Sequence, residues 1–239
     1  CGSFVSPKAI PQMADTKDVI SQLSLNNSKT KLLTIIANQR GAEEAIVFEQ
    51  ISYLGFPFSI SPTFQLRNTN SSIAESFGRV EQIQNLCIKN QKQLVVYLSM
   101  GFGNPYGDVY NKDILLHWAG EMAKLDIKII SLSDTVGVAA PQDISLALQT
   151  LIQEYAEVEF GVHLHSSAAN VYDKLQAAIH AGCKRFDGAL KGIGGCPMAQ
   201  DDLVGNMPTE LMIAYFQQQQ LMPEFNYEAL QYALQLANE

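Results

Sequence analysis

Strand-like and helix-like segments alternate along the whole chain, and the alternation predicts an α/β fold of the TIM (β/α)8 barrel type. Three observations carry that expectation. The strand runs are apolar throughout, as in a parallel sheet covered on both faces. About seven of them recur at the spacing of a strand–helix unit. No Gly-x-Gly-x-x-Gly follows an early strand, which disfavours an open doubly wound sheet built around a dinucleotide. The first run is only a stub, so the barrel is expected to be N-terminally truncated, with its first βα unit missing. No linker, low-complexity run or internal repeat divides residues 1–239, and one catalytic barrel domain with C-terminal helices is expected.

The elements follow in order. The opening CGSFVSPK reads as the tail of a strand entering a loop at Ser6-Pro7. Residues 16–25 form a weakly amphipathic helix, and residues 31–36 (KLLTII) a short buried strand. A short helix over 41–46 leads to the apolar run 51–60 (ISYLGFPFSI). Ser72 and Glu75 make a capping-box pattern. Ile73, Phe77, Val80, Ile83 and Cys87 then follow at helical spacing. Residues 93–99 (QLVVYLS) are a strand, Ile114, Trp118, Met122 and Leu125 mark a helix, and 127–132 (IKIISL) is the next strand. Pro141 opens a helix that carries Ile144, Leu148 and Leu151. Residues 159–165 are a strand containing His-x-His, and Val171, Leu175 and Ala178 lie on the helix after it. A last short strand over 185–189 precedes helices at 209–219 and 227–238.

Composition narrows the function. Hydrophobic residues make up 47% of the 239 and charged residues 17%, the balance of a globular core. The net charge of −8, without any run of Lys or Arg, argues against a nucleic-acid binder. Cys1, Cys87, Cys183 and Cys196 show neither a CxxC nor a framework spacing, which suits free thiols in a reducing compartment. With no membrane-length apolar run and no leader pattern, a soluble cytoplasmic protein without a membrane partner is expected. A homo-oligomer is compatible with the sequence.

The chemistry concentrates between residues 134 and 206. In a barrel, side chains at the carboxyl ends of the strands share the active face. Asp134, His163, His165 and the GIGGCP loop all follow strand-like runs. His163 and His165 stand two apart, so a strand projects both imidazoles from one face, where they can share a metal or serve as hydrogen-bonded structural groups. Asp134, in SLSDTVGV, suits a base, a substrate-orienting group or a turn cap. Cys196 sits behind three glycines and before Pro197, a setting that favours a reactive thiol over a packed one. His117 and His180 fall on helices and are expected at the surface.

The run GIGGCPMAQDDLVGN resembles the cysteine loop of hydroxymethylglutaryl-CoA lyases, members of the DRE-TIM metallolyase superfamily. SFVSPKAIPQMAD, SLSDTVGV and VHLH resemble the same family in the same order. The resemblance implies that His163, His165 and Asn206 ligate a divalent cation, Mg2+ or Mn2+. It also implies that Cys196 and Asp134 are catalytic and that His163 takes part in proton transfer. The implied reaction takes an acyl-CoA substrate, 3-hydroxy-3-methylglutaryl-CoA, to acetyl-CoA and acetoacetate.

The chain departs from the family pattern at several points. The Arg-Asp pair of the family's first strand and a glutamate ahead of Cys1 have no counterpart, Ser166 replaces a frequent Asp, and Met198 a frequent aromatic residue. Because the pattern begins in mid-strand, the chain alone is expected to be inactive. Two other readings share the fold: an acyl-CoA condensing or aldolase-type enzyme of the citramalate or isopropylmalate synthase kind, and an inactive barrel remnant acting as a binding module.

Overall fold

The computed structural model describes residues 1–26, 28–195, 204–222 and 225–237. It divides into two compact units, Cys1–Ser99 with Asp113–Ile130, and Met100–Lys112 with Ser131–Glu239.

In the first unit the chain runs α1 (Thr16–Gln22), β1 (Leu32–Ile35), α2 (Gln39–Ile46), β2 (Ile51–Ser59), α3 (Pro62–Thr69), α4 (Ile73–Lys89), β3 (Gln93–Ser99) and α5 (Lys112–Lys124). β1, β2 and β3 are hydrogen-bonded in chain order and parallel, with Leu54 opposite Leu94 and Phe58 opposite Leu98. The opening stub is present: Ser3 bridges Ile35 in parallel, the Phe4 N–H donates to the Ile35 carbonyl, and the Ile35 N–H donates to that of Gly2. Leu54, Phe56, Phe58, Val95, Val96 and Leu98 are all buried, as continuous apolar strands require. Phe58 packs on Trp118 with ring centroids 5.0 Å apart.

Helix boundaries follow side-chain chemistry. Ser72 Oγ accepts from the Glu75 N–H at 3.2 Å, and Glu75 Oε2 accepts from the Ser72 N–H at 2.7 Å, completing the capping box of α4. Behind it α4 buries Val80, Ile83 and Cys87. Replacing Ser72 by Ala removes the acceptor for an otherwise orphaned N–H and should lower unfolding free energy by about 1 kcal/mol; urea denaturation reads it, and an unchanged midpoint would mean water serves that N–H equally well. α3 is an element that the sequence pattern did not predict. Its signal is Ser61-Pro62: Ser61 Oγ accepts from the Phe64 N–H at 3.2 Å, and the proline occupies the first turn.

β4 (Ile129–Ser133) begins in the first unit and ends in the second. The second unit continues with α6 (Pro141–Glu154), β5 (Glu159–His163), α7 (Val171–His180), β6 (Arg185–Asp187), α8 (Thr209–Gln218) and α9 (Tyr227–Leu236). β4, β5 and β6 again follow chain order. β5 and β6 pair in parallel, with Val162 opposite Phe186 and His163 opposite Asp187. α6 buries Ile144, Leu148 and Leu151, and α7 buries Val171, Leu175 and Ala178.

Cys87 and Cys183 are free and buried, and burial pushes each thiol up to about 12. Since the thiolate is the nucleophile, both should resist iodoacetamide at pH 8 until the protein is unfolded. Mass spectrometry of labelled peptides checks this, and rapid labelling of either in native protein would contradict its burial. Among the described residues no helix is long and apolar enough to cross a membrane.

Candidate active site

All described candidates lie in the second unit. Parallel pairing sets the carboxyl ends of β4 and β5 side by side, and the Asp134 N–H donates to the His163 carbonyl at 3.0 Å. His163 ends β5. His165 lies two residues beyond His163, held by an antiparallel bridge to Asn206. The two rings are 5.6 Å apart between centroids and steeply inclined. The paired imidazoles expected from the His-x-His spacing are therefore neighbours, with His165 placed by the bridge instead of by the strand.

His165 is 4% exposed. Its Nδ1 lies 2.8 Å from the Val204 carbonyl oxygen. That oxygen only accepts, so Nδ1 carries the proton and Nε2 presents its lone pair. Burial is the largest influence on its pKa and lowers it. The Val204 bond and Asp134 work the other way, while His163 and Lys174 add to the lowering. The ring is thus held neutral, the form that ligates metals. Asn206 Nδ2 donates to the Ile193 carbonyl at 2.9 Å, which leaves its amide oxygen as the donor atom for a cation.

Asp134 is almost completely buried. Its Oδ1 accepts from the Ala139 N–H at 3.0 Å and its Oδ2 from Lys174 Nζ at 2.7 Å. The turn-capping use of this carboxylate and an ion pair therefore coexist. Lys174, buried on α7, also donates to the His165 carbonyl at 2.8 Å and to that of Gly137 at 3.3 Å. Neither Lys174 nor its role was legible from sequence spacing. Asp187 is a second residue missed there: its Oδ2 lies 3.6 Å from His163 Nδ1 and accepts from Ser131 Oγ at 3.1 Å.

Cys196 lies outside the described residues, as does Met198. The described flanks of its loop are joined, since the Asn206 N–H donates to the Gly194 carbonyl and the Ser166 N–H to that of Gly205. Gly192 and Gly194 have φ of +63° and +92°, and a Cβ on Gly192 would fall 2.6 Å from the Asn206 carbonyl oxygen. Glycine is needed there for both conformation and space. His117 and His180 are exposed, as expected.

Two imidazoles and an amide oxygen fit the neutral part of a cation's shell, and the tautomer of His165 suits ligation. Next to it, Ser166 Oγ is buried without a hydrogen-bond partner among the described residues, an unsatisfied polar atom of the kind found beside ligand sites. No three His, Cys, Asp or Glu side chains cluster as metal ligands among the described residues. A hard dication would draw its anionic oxygens from elsewhere.

The chain is 29% identical over 231 residues to a hydroxymethylglutaryl-CoA lyase of Bacillus subtilis strain 168, covering 95% of this chain and 75% of that protein. It is 30% identical over 214 residues to the mitochondrial hydroxymethylglutaryl-CoA lyase of Mus musculus, covering 88% of this chain and 64% of that one, under two thirds of its length. The fold matches an HMG-CoA lyase from Acinetobacter baumannii, solved in complex with coenzyme A and 3-methylmalate, with a TM-score of 0.86 and 27% identity, over 96% of this chain and 74% of that one. The α/β architecture is thus of the TIM-barrel type expected from the strand–helix alternation. The HMGL-like profile matches residues 8–236, and the chain belongs to that family.

Proposed function

We propose that the protein carrying this chain is a carbon–carbon lyase cleaving 3-hydroxy-3-methylglutaryl-CoA into acetyl-CoA and acetoacetate. The observation that carries the proposal is the bridge between His165 and Asn206, which pairs two of the expected cation ligands, a neutral imidazole whose Nδ1 is bonded to the Val204 carbonyl and a residue with a side-chain amide. The relatives bearing that activity in their names support it.

His163, His165 and Asn206 would hold the divalent cation, Mg2+ or Mn2+. A bound dication would polarise and position the substrate's oxygens. A base removes the proton of the tertiary hydroxyl. The oxygen's electron pair becomes the carbonyl of acetoacetate as the C–C bond breaks, and the bond's electrons pass to a thioester enolate. Protonation of that enolate carbon releases acetyl-CoA. His163, backed by Asp187, serves proton transfer at the hydroxyl. Asp134 anchors that side of the site through its bonds to Ala139 and Lys174. Cys196 is assigned the acid that protonates the enolate. An acyl-CoA substrate, no nucleic-acid partner and a cytoplasmic setting complete the proposal.

The test is acetoacetate release from the CoA ester with Mg2+ or Mn2+, after chelation, and after re-addition. Activity should vanish with chelator and return with cation. Full turnover in excess chelator would sink the cation assignment. Condensation of acyl-CoA without cleavage would favour the synthase-type reading, and inertness with all substrates the binding module.

A further inference from the structure

Lys174 is the one lysine on the buried face of α7, at 1% exposure, and its ammonium is spent wholly on groups around the candidate site. It has three N–H donors and three acceptors: Asp134 Oδ2 at 2.7 Å, the His165 carbonyl at 2.8 Å and the Gly137 carbonyl at 3.3 Å. Asp134 belongs to the end of β4, Gly137 to the loop after it, and His165 to the segment leaving β5. One cation thus ties two neighbouring strand ends together.

Burying such a pair is a poor route to stability alone. Desolvation of both charges offsets much of their attraction, and apolar side chains of similar volume often serve as well. What the ion pair adds is direction. A carboxylate with Oδ1 on the Ala139 N–H and Oδ2 on an ammonium has one orientation. A main chain gripped at the His165 carbonyl presents its imidazole to Val204 in one way.

We propose that Lys174 is a positioning residue that, from inside α7, fixes the Asp134 carboxylate and the His165 main chain, and through the latter the tautomer His165 offers to the site. It touches neither substrate nor cation. Its importance to turnover rests on the lyase reading given above, whereas its hold on His165 does not.

The experiment compares the protein with its Lys174→Met variant, checked for folding by far-UV circular dichroism. Long-range 1H–15N spectra of the histidine rings report which nitrogen of His165 is protonated. The parent should show the proton on Nδ1 alone, and Lys174→Met both tautomers. In the cleavage assay kcat should fall about 10- to 100-fold, with KM changed less than about threefold. A folded Lys174→Met variant that keeps the single Nδ1–H tautomer overturns the proposal. Should that variant not fold, Asp134→Asn/Lys174→Met, which buries no unpaired charge, decides by the same spectrum: two tautomers support the proposal and one overturns it. A parent that cleaves nothing, with the tautomer effect intact, would overturn the lyase reading and leave the role of Lys174 standing.

Discussion

Asp134→Ala should destabilise the protein by about 3–5 kcal/mol, because it leaves the Lys174 ammonium buried without its counter-charge. Both members of the pair are almost wholly shielded from solvent and meet at 2.7 Å. The two carbonyls that remain on Lys174 satisfy hydrogen bonds but carry no formal charge to balance it. The exposed ion pairs, such as Lys17 with Glu44 at 2.7 Å, offer a contrast; screened by solvent, that one should contribute at most about 1 kcal/mol. Urea unfolding followed by tryptophan fluorescence would measure both. Neutralising both partners, as Asp134→Asn/Lys174→Met, should recover much of the loss, since no charge is then stranded. A loss below that of Glu44→Ala would show that the buried pair is not formed in solution.

The strands were legible because residues 93–99 and 127–132 are short, apolar and bounded by breakers, and their length and flanks favour a buried strand over a helix segment. α3 was hidden because SPTFQLRNT is short and mostly polar, with too few apolar residues to show a helical period, and only a serine followed by proline marks its start. At the site the same division holds. The spacing of His163 and His165 is local, so their shared face could be read directly. Lys174 could not be found that way, since its partner Asp134 is forty positions away and a lysine within a helix ordinarily faces water. Asp187 is similar: its place beside His163 follows from the β5–β6 register, which only the assembled sheet specifies.

Cys196→Ala should lower the rate of cleavage by about 10²–10⁴-fold, the usual contribution of a general acid or base, while thermal unfolding shifts little. The residue's assignment comes from its sequence setting, GIGGCPMAQDDLVGN, and the surrounding chain supplies the physical reason to expect a functional loop there. Gly192 and Gly194 take left-handed conformations, and a side chain on Gly192 would strike the Asn206 carbonyl oxygen. Asn206 in turn donates its N–H to Gly194 and its amide Nδ2–H to Ile193, and bridges His165. The loop's two described flanks are thereby clamped to each other beside the imidazole pair. Glycine takes these conformations without strain, and at Gly192 the clamp leaves no space for a side chain. Gly192→Ala supplies the complementary measurement: by disturbing the clamp at Asn206, it should weaken Mn2+ binding as well as turnover, whereas Cys196→Ala should spare Mn2+ binding, because the thiol is not among the proposed ligands. Acetoacetate release, thermal unfolding and Mn2+ titration on the two variants separate the roles. Near-parental turnover in Cys196→Ala would remove the thiol from the mechanism, and loss of Mn2+ binding in that variant would make it a ligand instead of an acid.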